Sequence, residues 1–158
     1  MTYNFEQYIK LLEYQKELSK EKKFLHNENP AKHSELLKQS ARISEHLYWL
    51  HKQEFKQLIN DFLSFKINGK DFDQKFSQLV REIGNESGLK NQAKLKSIEV
   101  NSKSLGFGSL ISEIYLCCDE FYEEYDPNEG YDPALKTEEQ LRQAIKDLLP
   151  KIQEYYSI

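Results

Sequence analysis

Apolar residues along this chain recur at spacings of three and four, and strand-like alternation is nowhere convincing. That period predicts amphipathic helices. Residues 4–26 carry Phe5, Tyr8, Ile9, Leu12, Leu18 and Leu25 on such a stripe, and Pro30 after Asn27-Glu28-Asn29 marks a break. A second pattern runs over 31–67 through Leu36, Ile43, Leu47, Leu50, Leu58, Phe62 and Phe65, long enough that a bend near 50–53 is expected. Asn68-Gly69 reads as its stop, with Gly69 suited to the left-handed position after a helix. Asp71 with Gln74 reads as the capping box of a helix through Phe72, Phe76, Leu79, Val80 and Ile83 that closes at Gly84.

Residues 85–108 are polar, contain Gly88, Gly106 and Gly108, and read as loop with one short helix near 90–98. A helix is then predicted over 109–125 through Leu110, Ile111, Ile114, Tyr115, Cys118, Phe121 and Tyr122. Asp126-Pro127-Asn128-Glu129-Gly130-Tyr131-Asp132-Pro133 is loop. Thr137 and Gln140 form a second capping box, and Pro150 should kink or end the last helix, which carries Leu141, Ile145, Leu148, Leu149 and Ile152. The fold class is all-α, a bundle of four to six helices. The stripes of residues 1–56 need a partner surface, so two helices broken near Pro30 are expected to pack back through Phe5, Tyr8, Leu12, Leu47 and Leu50.

At 158 residues the chain is about one domain long and can bury a core without staples. A mean hydropathy of −0.77 leans toward disorder, but 13% aromatic residues oppose it. No run approaches the ~18 apolar residues of a membrane helix. The opening residues lack the marks of a signal peptide, so a cytoplasmic chain is expected. Cys117 and Cys118 are neighbours that ordinary disulfide geometry cannot bridge, and no zinc pattern contains them. They predict a reducing compartment with one or both thiols in the core.

Charge is uneven. Residues 1–60 hold ten basic against eight acidic residues, and 61–110 hold eight against six. Residues 111–158 hold four against twelve, and between Glu113 and Glu139 only Lys136 opposes ten carboxylates. Such a block repels nucleic acid and attracts a basic partner. It argues against a sequence-reading DNA-binding protein.

Catalytic constellations are missing from the sequence. His26, His33, His46 and His51 have no Glu three residues before them, and no His-Glu-x-x-His is present, so they read as surface histidines without a metal. Arg42-x-x-x-His46 falls one residue short of the spacing used by HEPN ribonucleases. Gly106-Phe107-Gly108 reads as a turn rather than a phosphate loop. No cofactor or metal is called for. Phe5, Phe62, Phe65, Phe72 and Phe76 sit at helical spacing and read as core. Tyr122, Tyr125 and Tyr131 differ, because they interleave with Glu123, Glu124, Asp126, Glu129 and Asp132 in the manner of a protein interface.

The order of features is also familiar. The run from Leu58 to Phe72, with Leu63, Ile67 and then Phe76, resembles the opening of the bacterial self-protective colicin-like immunity family. Asp119, Tyr122 and Asp126 resemble that family's Asp-x-x-Tyr-x-x-x-Asp segment. Asp132-Pro133-Ala134-Leu135 followed by Glu139-Gln140-Leu141-Arg142 resembles its acidic loop and Glu-x-Leu-Arg helix start. The likeness covers 57–155 and leaves 1–56 and the insertion at 85–108 without counterparts.

What the resemblance implies is an antiparallel four-helix bundle at 57–158 with an additional N-terminal helical segment at 1–56 packed on it. It also implies a non-enzymatic inhibitor that binds a nuclease toxin, of a kind that cuts transfer RNA, and blocks its basic cleft. Carboxylates can imitate phosphates there, speed capture and anchor the complex. The expected partner-binding residues are Asp119, Glu120, Tyr122, Glu123, Glu124, Tyr125, Asp126, Tyr131 and Asp132, with Glu120, Glu123 and Glu124 sharing one helical face. A monomer is favoured, with no nucleic acid or membrane as partner. The alternatives are a helical scaffold or adaptor that binds another basic protein through the acidic face, and a HEPN-like ribonuclease, which lacks a site of the required geometry.

Overall fold

The structure, a computed structural model, describes residues 4–96 and 102–156. Among them it is all-helical. The elements are α1 (Phe5–Lys20), α2 (Leu25–Glu28), α3 (Pro30–Leu50), α4 (Lys52–Leu63), α5 (Gly69–Asn85), a 3-10 turn (Leu89–Asn91), α6 (Gln92–Lys96), α7 (Ser104–Glu120), α8 (Glu138–Asp147) and α9 (Leu149–Glu154). No strand forms among the described residues, and extended pairing is confined to a single bridge between Phe121 and Lys136.

Most helix ends have a local cause. Asn4 caps α1 by accepting from the Gln7 amide, and Asn29 caps α3 in the same way from Lys32, with Pro30 at the first helical position. The predicted bend falls at His51, which closes α3 and opens α4. Thr137 and Gln140 make both bonds of their capping box, and Pro150 opens α9 after a joint at Leu148.

Two helix ends differ from the sequence reading. α1 stops at Lys20, not near residue 26, because Lys22 turns left-handed (φ 58°). The Lys23 amide then donates to the Leu18 carbonyl and that of Lys22 to Ser19, a Schellman closure. α4 stops at Leu63 with Phe65 in the left-handed position (φ 64°), its amide donating to Phe62 and that of Lys66 to Asp61. Gly69 therefore does not end a helix. It is the first residue of α5, capped by Asn68, whose side chain accepts from Asp71 at 2.8 Å, so Asp71 lies inside the helix and is not its cap.

One apolar core collects residues from α1 through α9. Ile43, Leu47, Phe55, Phe62, Phe72, Phe76, Leu95, Ile114, Leu141 and Ile145 have no accessible surface, and Tyr8, Ile83, Phe107 and Ile111 are at 1%. Phe62 and Phe72 stack with centroids 4.4 Å apart and planes 9° from parallel. α3 packs along α7, and α5 and α8 each pack on α4, on α7 and on each other. Phe5 and Leu12 are half-buried against the core, as expected of the N-terminal stripe, but Leu50 is exposed because α3 ends there.

Gly106 and Gly108 are not in a turn. They lie in the first turns of α7, which starts five residues earlier than predicted. A Cβ on Gly108 would come within 2.7 Å of Glu45 Cγ on α3, and one on Gly106 would clash with the Tyr155 hydroxyl. Both glycines serve close approach between elements, a reason invisible in local sequence. The histidine reading also needs correction: His46 is 3% exposed, inside the core, with its Nδ1 lacking a hydrogen-bond partner among the described atoms. Burial, reinforced by the nearby Arg42 charge, lowers its pKa below the ordinary imidazole value. Phe65 is likewise not core, at 75% exposure.

Candidate functional site

The acidic residues gather where α7 ends. The helix stops at Glu120 because Phe121 turns to an extended conformation (φ −74°, ψ 129°) and pairs with Lys136. The Lys136 amide donates to the Glu120 carbonyl at 2.7 Å, and the Tyr122 amide to the Lys136 carbonyl at 3.1 Å. Helix continuation to residue 125 would sacrifice both bonds. The Phe121 ring packs against Gly69, close enough that a Cβ there would sit 3.0 Å from its Cζ.

This geometry overturns the shared helical face. Glu123 and Glu124 lie beyond the helix, so Glu120, Glu123 and Glu124 do not form one strip, and Tyr122 does not extend the Asp119 side of α7. Glu120 is instead bound to Lys136 at 2.7 Å, which raises the lysine pKa, and Glu123 faces Lys70 at 3.6 Å. The order comes from a folded-back loop rather than from a helix.

That loop is pinned from within. The Asp132 amide donates to the Tyr125 hydroxyl at 2.9 Å, and the hydroxyl lies 3.2 Å from the Asp132 carbonyl, to which it donates. Asp126 accepts from the Asn128 amide at 2.8 Å and Asp132 from the Ala134 amide at 2.9 Å, two side-chain-closed turns. Tyr125 is thus half-buried and structural, whereas Tyr122 and Tyr131 stand out at 52% and 77% exposure. Asp119, Glu124, Asp126, Glu129 and Asp132 are exposed and make no ion pair among the described residues.

The charges sit at the negative pole of α7, where unsatisfied carbonyls already favour cations. The last turn of α7 contains no basic residue and ends in Asp119-Glu120. Asp73 of α5 adds to the same negative region. Its pKa is raised by burial and by the charge of Asp119, against a hydrogen bond from Ser77. Burial raises the pKa of both thiols nearby, those of half-buried Cys117 and buried Cys118.

A second structured node supports the loop from below. Arg142 of α8 is 8% exposed and donates to the Phe62 carbonyl and, at 3.0 Å, to Glu138. Its guanidinium lies 4.1 Å from the ring centres of both Phe62 and Phe65. Glu138 in turn accepts from the Gly69 amide, an otherwise orphaned donor at the start of α5. Sequence reasoning had no signal for this node beyond the Glu138/Arg142 spacing of four.

Elsewhere, an open groove of about 680 Å³ between α1 and the 3-10 turn is lined by Leu12, Gln15, Lys16, Ser19, Asn85, Gly88, Leu89 and Lys90. Among the described residues no group of three His, Cys, Asp or Glu side chains is placed to hold a metal ion. No helix of the described residues is long and apolar enough to cross a membrane. No protein-family model, curated protein or solved structure matches the chain.

Proposed function

We propose that this chain is an immunity protein of the colicin-like kind, a non-enzymatic cytoplasmic inhibitor that covers the basic active cleft of a nuclease toxin. The single observation that carries the reading is the ordered acidic loop at the negative pole of α7. Its carboxylates are held in place by Tyr125 and by side-chain-closed turns at Asp126 and Asp132. A cleft built to attract phosphates would be drawn to this surface, and a loop already ordered loses little entropy on binding. The arrangement in this reading is an antiparallel four-helix unit of α4, α5, α7 and α8, with the N-terminal helices packed on it. The packing of both α5 and α8 on α4 and on α7 supports it.

The test is charge reversal at carboxylates that hold no structural bond. Asp119→Lys, Glu124→Lys and Glu129→Lys together should leave the helical signal intact. Association with the nuclease encoded beside this chain's gene should slow at least tenfold at low salt, since steering is a long-range effect, and protection of transfer RNA should be lost. Unchanged association and protection would sink the reading. A second reading, a helical adaptor for another basic protein, draws on the same acidic face, with the exposed Leu105 and Leu116 on α7 as added apolar contact area. That reading predicts no nuclease as neighbour.

A further inference from the structure

Phe65 holds a conformation that a bulky side chain ordinarily avoids. Its φ of 64° places it in the left-handed region, where the Cβ of an L-residue crowds its own backbone and where glycine is the usual occupant. Burial in the core does not account for it, because the residue is 75% exposed. The apolar contact that often accompanies such a closure involves the following residue, which here is Lys66.

The ring does have one partner. It lies over the Arg142 guanidinium at 4.1 Å, on a layered stack with Phe62. Arg142 is already held by the Phe62 carbonyl, by Glu138 and by the Phe62 ring. What remains is an aromatic surface fixed in position and open to solvent. A relay of contacts joins it to the start of the acidic loop: Glu138, which binds Arg142, also accepts from the Gly69 amide, and Gly69 lies against the Phe121 ring. Lys70, next in the chain, reaches Glu123 of the loop.

We infer that Phe65 is an aromatic anchor for an arginine side chain of a basic protein partner. The planar guanidinium stacks on the Phe65 ring while the carboxylates of the loop take the charge of its neighbours. Charge complementarity selects the occupant. An apolar partner would gain nothing from the carboxylates, and a lysine is a compact ion that stacks less well than arginine. This inference rests on the reading of the acidic loop as a site for a basic partner.

The experiment is a titration of the full chain, isotope-labelled, with nona-arginine and separately with nona-lysine, followed by NMR. Both peptides should shift backbone amides over 119–136, and only nona-arginine should shift the Phe65 ring resonances. Phe65→Gly, which relieves the left-handed strain, should melt no lower than the parent. It should weaken nona-arginine about two- to fivefold, the size of an exposed cation–π contact, and leave nona-lysine unchanged. Phe65→Asn, also tolerant of this conformation, should behave alike. If the loop amides shift while the Phe65 ring and the glycine variant's affinity do not change, the anchor is wrong and the acidic site stands. A clear drop in melting temperature for both variants would make Phe65 a structural cover for Arg142 and overturn the anchor. If neither peptide shifts the loop, the acidic site fails and the anchor with it.

Discussion

The Tyr125 hydroxyl and the Asp132 backbone are joined twice, the hydroxyl accepting from the amide at 2.9 Å and donating to the carbonyl at 3.2 Å. One side chain therefore closes a loop of eight residues, Tyr125 to Asp132, that contains Asp126 and Glu129. Tyr125→Phe should cost at most about 1 kcal/mol of global stability, since these bonds are near the surface. The local effect should be larger. Hydrogen exchange at the Asp132 amide should accelerate strongly while core amides such as those of Ile114 and Ile145 keep their protection. Equal protection of Asp132 in both proteins would contradict the pinning role.

Arg142 is the most committed polar residue of the core, with two hydrogen bonds and two aromatic faces. Arg142→Met should lower stability by about 2–3 kcal/mol, the scale of losing charge-assisted hydrogen bonds. Arg142→Lys should recover little of it, because an ammonium cannot bond the Phe62 carbonyl and Glu138 together with the fixed fork of a guanidinium. Urea denaturation of the three proteins measures both statements. A lysine variant as stable as the parent would show that charge alone suffices.

Glycines separate two uses of the same residue. Gly108→Ala should destabilise by about 1–3 kcal/mol as overpacking forces α3 away from α7, because its Cβ meets Glu45 at 2.7 Å. Gly84→Ala should stabilise by about 0.5 kcal/mol through helix propensity, because nothing lies within 4 Å of the added atom. Thermal melts of the pair should therefore move in opposite directions.

Buried His46 gives stability a pH dependence of known sign. Burial lowers its folded pKa below the ordinary value of 6.5, so the unfolded chain takes up the proton first. The stabilising effect of a neutral His46 is complete above about pH 6.5 and is lost as pH falls below that value. His46→Leu should reduce the loss of stability between pH 6.5 and 5, read as midpoint shifts in urea. An identical slope in parent and variant would assign the acid sensitivity to other groups.

Much of this protein could be read from local chemistry. The stripes of three and four, the break at Pro30, the bend at His51, the Thr137–Gln140 box and the joint before Pro150 are all settled within a turn or two of chain, where side-chain spacing and capping decide. The same is true of the gathering of negative charge between Glu113 and Glu139. Local chemistry does not weigh one long-range contact against another, and the revisions at α7, His46 and Phe65 trace to such contacts, whereas the early ends of α1 and α4 and the Asn68 cap are local closures. α7 ends at Glu120 because Lys136, sixteen positions on, bonds the Glu120 carbonyl and the Tyr122 amide on either side of Phe121. α7 begins early because Gly106 and Gly108 let Tyr155 and Glu45 approach. His46 is buried, and Phe65 turned outward over Arg142, by the way α3, α4 and α8 meet the rest of the core. The sequence by itself determined the helices and the sign of the surface, since both follow from residues near in the chain. Tertiary structure decided where α7 begins and ends and which carboxylates stay unpaired, because those depend on bonds that form only once distant segments have been brought together.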